Sequence, residues 1–240
     1  MSKDEETLAF FTTVPCPCPY LKDRIESKLA VDISGPGAQR WSEVLSRAGF
    51  RRSHTVCYLP ACPDCKACVS VRIRTAGFAP SKKQRKVLRL NADKQVSFLP
   101  NIADTEQYAL FRAYLNARHA DGEMSAMSFD EYRAMIEDGP VQSRLLEIRE
   151  NGVLKGVMLV DDLDDGLSAV YSFFDPAESE KSLGTFMILR LVEEAARNGL
   201  PYVYLGYWIP LVSNMAYKKR FRPLEYFVDG KWTESVPDQM

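Results

Sequence analysis

Hydrophobic residues recur along this chain with two different periods, and the change from one to the other organises it. Trp41, Val44, Leu45 and Ala48 recur at helical spacing over Ala38 to Ala48, and Gly49 stops the run. Phe50 to Leu59 reads as a strand, and Val69 to Arg74 as another because Val69, Val71 and Ile73 alternate with polar residues. Ser81 stands as an N-cap for a helix to about Asn91, and Thr105 to Arg118 reads as a second helix. Ser128-x-x-Glu131 is a capping box opening a third, which runs to Glu137. Pro15-Cys16-Pro17-Cys18-Pro19 is expected to be a loop, since its alternating prolines withhold backbone donors.

From Arg144 onward period two dominates. Strands are expected over Leu145 to Arg149, Val153 to Val160 and Leu167 to Phe174, joined by an Asn151-Gly152 hairpin turn and an acidic turn at Asp161, Asp162, Asp164 and Asp165. A helix over Ser182 to Arg197, an apolar strand over Tyr202 to Tyr207 and a short basic helix near Ser213 to Arg220 follow. Strands, helix, strand, helix is the order of a GNAT-type acyltransferase core. The expected fold is therefore α+β, with a cysteine-containing, basic N-terminal α/β region over residues 1–140 and a GNAT-like domain over 141–240.

Composition narrows the classes. A chain of 240 residues that is 46% hydrophobic can fill a proper core. Lysine plus arginine (31) nearly balance aspartate plus glutamate (32), so net charge does not announce a nucleic-acid partner and local patches must. The acidic start, Met1 to Glu6, precedes no apolar leader, and no run approaches the roughly 18 apolar residues of a membrane span, so a cytoplasmic protein is expected. In a reducing compartment six cysteines suit metal ligands, redox-sensitive thiols or core positions better than a disulfide framework.

Cations cluster where net charge hides them. Between Val69 and Lys94 lie Arg72, Arg74, Lys82, Lys83, Arg85, Lys86, Arg89 and Lys94 against the single acid Asp93, a pattern that suits a phosphate backbone or a solvated helix face. Lys218, Lys219, Arg220 and Arg222 interleave with Tyr217 and Phe221, as a stacked base beside phosphates requires, and as an aromatic core edge with snorkelling lysines also would. Cys62-x-x-Cys65-x-x-Cys68, completed by Cys18 or Cys16, resembles half of a zinc or iron–sulfur site; free or redox-sensitive thiols in a Pro-rich loop are the competing readings. His54 and His119 sit in no visible triad and receive no role.

Cys18-Pro19-Tyr20-Leu21, Gly49-Phe50-Arg51-Arg52-Ser53, Cys62 to Cys68, Pro80 to Arg85, Val170 to Pro176, Ser182-Leu183-Gly184-Thr185, Tyr204 to Ile209 and Met215 to Phe221 closely resemble the bacterial aminoacyl-tRNA–protein transferases of the N-degron pathway. The resemblance runs from about residue 15 to residue 226, and is strongest to the leucine-transferring branch. It implies leucyl-tRNA as donor, acceptor proteins that begin with Asp or Glu, their marking for degradation, no required cofactor and no membrane. Eukaryotic relatives carry a Cys-x-x-Cys plus a Cys-Cys pair, whereas Leu21 stands at the second position here, so their metal chemistry does not transfer directly.

Aminolysis of an activated ester mainly needs its reactants positioned, which can supply about 7–11 kcal/mol. A carboxylate, Asp162, is the expected proton acceptor, and a strand N–H or Tyr171 the oxyanion donor. Selecting an acidic acceptor calls for a forked cation, for which Arg72, Arg85 and Arg220 are the candidates. Lys82, Lys83, Lys86, Tyr207 and Lys218, with Ser182 and Gly184 at a helix start, are expected to hold tRNA. The rivals are an arginine-transferring enzyme, a CoA-dependent GNAT acetyltransferase, disfavoured by the missing Gly-x-Gly, and a noncatalytic RNA- or metal-binding module.

Overall fold

Burial sorts the period-two stretches into a small N-terminal sheet and a large one. The computed structural model describes residues 7–118, 122–212 and 215–237; His119 and Ser213 fall outside them. Among the described residues the first elements are β1 (Phe10–Thr12), β2 (Cys16–Pro17), β3 (Ile25–Glu26), β4 (Lys28–Asp32), α1 (Ala38–Arg47), β5 (Arg51–Ser53) and β6 (Val56–Pro60). β1, β4, β6 and β5 form one antiparallel sheet in that order. The single strand expected over Phe50 to Leu59 is two, because His54 takes a left-handed φ of 51° and turns the chain back so that Ser53 pairs with Val56. The Pro-rich loop also carries a short pairing, Cys16 with Glu26 and Pro17 with Ile25.

The chain continues through β7 (Val69–Arg74), α2 (Lys82–Leu90), β8 (Gln95–Pro100), α3 (Thr105–Arg118), α4 (Phe129–Glu137), β9 (Ser143–Glu150), β10 (Val153–Leu163), β11 (Gly166–Phe174), α5 (Leu183–Arg197), β12 (Tyr202–Trp208), β13 (Leu224–Val228) and β14 (Lys231–Thr233). Eight of these described strands make one mixed sheet, β14-β13-β7-β12-β11-β10-β9-β8. Residues 1–140 therefore contribute β7 and β8 to the sheet whose centre comes from residues 141–240. The expected Ser128 capping box forms, Ser128 Oγ accepting from Glu131 N, and the expected N-cap Ser81, whose Oγ accepts from Gln84 N, belongs to a second capping box.

α5 is apolar on most of its circumference and buries Leu183, Phe186, Met187, Leu191 and Ala195 completely against one sheet face, together with α2. α3 and α4 cover the opposite face through Phe111, Leu115, Tyr132 and Ile136. This is a mixed α/β architecture with helices on both sides of a central sheet.

The acidic segment begins inside β10, which holds Asp161 and Asp162, and turns at the exposed Asp164. Asp161 is 2% exposed and accepts both Arg52 Nε (2.7 Å) and Arg52 Nη2 (2.6 Å), while Asp164 pairs with Arg47 at 2.5 Å. Gln39 of α1 donates to the Asp162 carbonyl at 2.8 Å. Three residues of the β10–β11 hairpin thus fasten the N-terminal sheet and α1 to the large sheet.

Candidate functional site

β11 and β12 run parallel but pair only through Gly166, Leu167 and Ser168 with Tyr202, Val203 and Tyr204. β11 continues to Phe174 and β12 to Trp208 without further pairing, so the sheet opens into a wedge. Each wall carries a bulge. On β11, Leu159 and Val160 of β10 face Tyr171 and Ala169, leaving Val170 unpaired. On β12, Arg72 and Val71 of β7 face Tyr204 and Gly206, leaving Leu205 unpaired.

The carbonyls released by these bulges are taken by two basic side chains. Arg51 Nη2 donates to Val170 O at 2.8 Å, and Lys218 Nζ donates to Leu205 O at 2.8 Å and to Tyr207 O at 2.5 Å. A cleft of about 200 Å³ lies between them. Met158, Ala169, Ile188 and Leu205 supply apolar walls, and Arg51, Tyr171, Ser172, Tyr217 and Lys218 the polar ones. Outside the wedge Tyr114 packs on Phe174 with ring centroids 5.1 Å apart, and the Arg118 guanidinium lies 5.2 Å over the same ring.

Glycine makes room for the first cation. A Cβ at Gly206 would stand 2.5 Å from Arg51 Cζ, and its φ of +69° disfavours any side chain. Burial pushes the Lys218 amine down to about 7, and the nearby charge of Arg51 acts in the same direction. As a neutral amine it donates its two hydrogens to the two carbonyls and keeps a lone pair. Burial raises the Tyr171 hydroxyl to about 12, so at neutral pH it is a protonated donor.

Of the residues anticipated from sequence, Tyr171 and Lys218 line this cleft and the others stand elsewhere. Asp162 is corrected: Arg144 holds its carboxylate at 2.7 and 2.8 Å, so it is committed outside the cleft. Arg72 is corrected as well. It is 7% exposed, bonded to Glu225 at 2.7 Å and sandwiched between the rings of Tyr202 and Trp232 at 3.5 and 4.3 Å. Arg85 donates to the Pro80 carbonyl and is exposed, as is Arg220, and neither lines the cleft. Tyr207 is buried and donates to Tyr58 O at 2.7 Å. Ser182 is a left-handed N-cap without a side-chain bond, and a Cβ on Gly184 would meet Phe174 at 3.3 Å, so that glycine admits the aromatic ring.

Arg51 carries no role in the sequence reading. Its signal was the pair Arg51-Arg52 directly after Gly49-Phe50: one guanidinium goes to the buried Asp161, its neighbour to the wedge.

Lys82, Lys83, Arg85 and Lys86 are exposed along α2. The buried Gln84 of the same helix donates to the Arg220 carbonyl at 3.2 Å. The two basic clusters seen in the sequence therefore meet. The short 3-10 helix Ala216–Arg220 buries Lys218 in the cleft and exposes Lys219 and Arg220 beside α2.

The thiols of Cys18, Cys62, Cys65 and Cys68 share one neighbourhood. Burial raises Cys68 to about 12, and the other three thiols add to the rise. The donor set suits zinc or an iron–sulfur cluster, but the positions do not: among the described residues no three His, Cys, Asp or Glu side chains are gathered closely enough to hold a metal ion. Cys62 Sγ instead donates to Ser27 O, and Cys18 Sγ accepts from Leu21 N.

Residues 16–86 match the family model described as "Arginine-tRNA-protein transferase, N terminus", and residues 106–228 the one described as "Arginine-tRNA-protein transferase, C terminus". A protein of Gluconacetobacter diazotrophicus named aspartate/glutamate leucyltransferase is 51% identical over 232 residues, 96% of this chain and 89% of its own. Proteins of the same name from Paramagnetospirillum magneticum and Rhodospirillum rubrum are 48% and 50% identical, covering 95% and 93% of this chain and 94% and 92% of theirs. Among solved structures, the C-terminal domain of a putative lysylphosphatidylglycerol synthetase from Agrobacterium fabrum aligns with a TM-score of 0.47 at 12% identity, over 60% of this chain and 47% of that one.

Proposed function

The chain belongs to the arginine-tRNA–protein transferase family, and from that premise we propose that it moves leucine from leucyl-tRNA onto the α-amine of proteins that begin with Asp or Glu, marking them for degradation. The observation that carries the reading is the wedge between β11 and β12, where two bulge carbonyls hold Arg51 and Lys218 beside a side-chain-sized cleft. Arg51 pairs with the acceptor's side-chain carboxylate. The acceptor's α-amine, with an ordinary pKa near 8, attacks the ester carbonyl. A C–N bond forms, the C–O bond to the tRNA ribose breaks, and the ammonium proton passes to the Lys218 lone pair and on to the leaving ribose oxygen. The Tyr171 hydroxyl donates to the oxyanion between those steps.

The tRNA backbone lies along the merged basic surface of α2 and the Ala216–Arg220 turn, with Lys82, Lys83, Lys86 and Lys219 against phosphates. The core is read as a GNAT-like acyltransferase fold, supported by the splayed parallel pair β11 and β12. Residues 1–140 form its cysteine-containing N-terminal part and residues 141–240 the transferase part. No described helix is long and apolar enough to cross a membrane, and charged tRNA places the reaction in the cytoplasm. The chemistry consumes no cofactor, and no step is routed through a metal.

The test is transfer of labelled leucine from charged tRNA to peptides that begin with Asp, Glu, Asn, Gln, Lys or Ala. Transfer restricted to Asp and Glu is expected, with Arg51→Met abolishing the advantage of Asp over Asn. Equal transfer to Ala and Asp, or an Asp preference that survives Arg51→Met, refutes the reading.

A further inference from the structure

The cleft has a composition that bears on the donor rather than the acceptor. Met158 (2% exposed), Ile188 (3%) and Leu205 (3%) line it together with Ala169, and its fixed charge is the Arg51 guanidinium, beside the Lys218 amine. Among the described residues no Asp or Glu lines it. A guanidinium entering this space would lose its water against hydrocarbon and meet like charge, with no carboxylate to pair with. A branched aliphatic group loses nothing by the same transfer and gains apolar burial.

We infer that the cleft itself sorts the donor: Met158, Ala169, Ile188 and Leu205 receive the leucyl side chain of the charged tRNA, while the Arg51 guanidinium turns an arginyl one away. The inference rests on the leucyl-transfer reading and adds to it the residues that choose the amino acid. One set of charges then serves both substrates. The cation that attracts an acidic acceptor is the one that excludes a basic donor, so acceptor and donor preference are coupled through a single electrostatic sign.

Ser172 offers the cleanest reversal, because it lines the cleft, is half-buried and is small. The probe is one tRNA body charged by a ribozyme with either leucine or arginine, presented with the same Asp-initiated peptide. An acceptor effect of the new carboxylate then cancels in the ratio of the two donors. Wild-type enzyme is expected to favour leucine by about 100-fold, the discrimination a shaped pocket gives between unlike side chains. Ser172→Asp, and as an independent variant Ala169→Asp, should shift that ratio toward arginine by about tenfold or more. Ile188→Ala should lower leucyl transfer by about tenfold while leaving arginyl transfer low. Folding of each variant is checked by its urea unfolding midpoint. If the wild type transfers neither amino acid, the transfer reading itself fails. If it transfers leucine, but arginine equally well, or if the folded variants all keep the wild-type ratio, the sorting inference falls and leucyl transfer stands.

Discussion

Removing the Arg52 guanidinium should separate the two sheets and blunt the enzyme at the same time. The Arg52 and Asp161 side chains are 4% and 2% exposed, joined by two bonds of 2.6 and 2.7 Å. Arg52 also donates to His54 O at 2.7 Å, and Asp161 accepts from Ser143 Oγ at 2.8 Å. Arg52→Met keeps most of the stem but leaves a buried carboxylate with one hydroxyl donor. Breaking such a pair costs about 3–5 kcal/mol, whereas replacing both partners by apolar residues is often neutral. At roughly 2–4 °C per kcal/mol for a chain of this size, the midpoint should fall by about 6–20 °C. The double variant Arg52→Met/Asp161→Leu should recover most of that loss. Urea unfolding of the four proteins gives the coupling energy directly. Because Arg51 is the neighbouring residue on β5, the single variant should also lose kcat/KM for Asp peptides in more than proportion to its folded fraction. A coupling below about 1 kcal/mol, the worth of a surface pair, would refute the claim that this bond fastens the N-terminal sheet.

The remaining expectations can be checked on the same protein. Gly206→Ala places a Cβ 2.5 Å from Arg51 Cζ at a left-handed φ, so it should cost about 1–3 kcal/mol and raise KM for Asp peptides far more than the Kd for tRNA, measured side by side. The folded Lys218 amine titrates near 7, below the ordinary lysine value of 10.5, so the unfolded chain binds more protons between those pH values. Stability should therefore rise with pH across that window and kcat should rise through pH 7; Lys218→Met should remove that share of the stability slope, as pH-dependent urea melts would reveal. Neutralising Lys82, Lys83, Arg85 and Lys86 should flatten the dependence of log K for tRNA on log salt by about 0.7–0.9 for each phosphate that no longer meets a cation, and an unchanged slope would move the tRNA off α2. Cys68, raised to about 12, should alkylate far more slowly at neutral pH than the exposed Cys16. A chelator that exposed Cys18, Cys62, Cys65 and Cys68 together would instead reveal a metal held by all four.

Elements were legible where local pattern and burial agree. α2 announces itself by its N-cap Ser81 and α4 by its capping box, and β9 to β11 by alternation and turns that pair neighbours in sequence. β1, β4, β8 and β13 were not, because they are stabilised by partners far along the chain. β4 pairs with β6 from Lys28↔Pro60 to Asp32↔Val56, and β8 lies at a sheet edge where four of its six residues are exposed. The basic helix near Arg220 was seen, but as a regular one; Pro223 lies three residues on, and the chain makes a 3-10 turn before β13.

The site was half legible for a different reason. Tyr171 and Lys218 could be picked from sequence as polar residues embedded in apolar strands and turns, but the role of a charged residue depends on which opposite charge the fold brings to it. Arg72 and Asp162 look free in sequence and are each consumed, by Glu225 and by Arg144. Arg51 looks redundant beside Arg52, yet the fold gives Arg52 the buried Asp161 and gives Arg51 the Val170 carbonyl and the Tyr207 ring, with no ion pair among the described residues to cancel its charge. The bulges at Val170 and Leu205 decide this. A regular ladder would use both carbonyls between strands, and neither cation would have an anchor in the wedge. Charge without a compensating partner, held by neutral carbonyls in a cleft, is costly to keep for stability alone. It is the arrangement expected where a carboxylate arrives from outside, and it needs no acidic or metal-binding residue in the cleft.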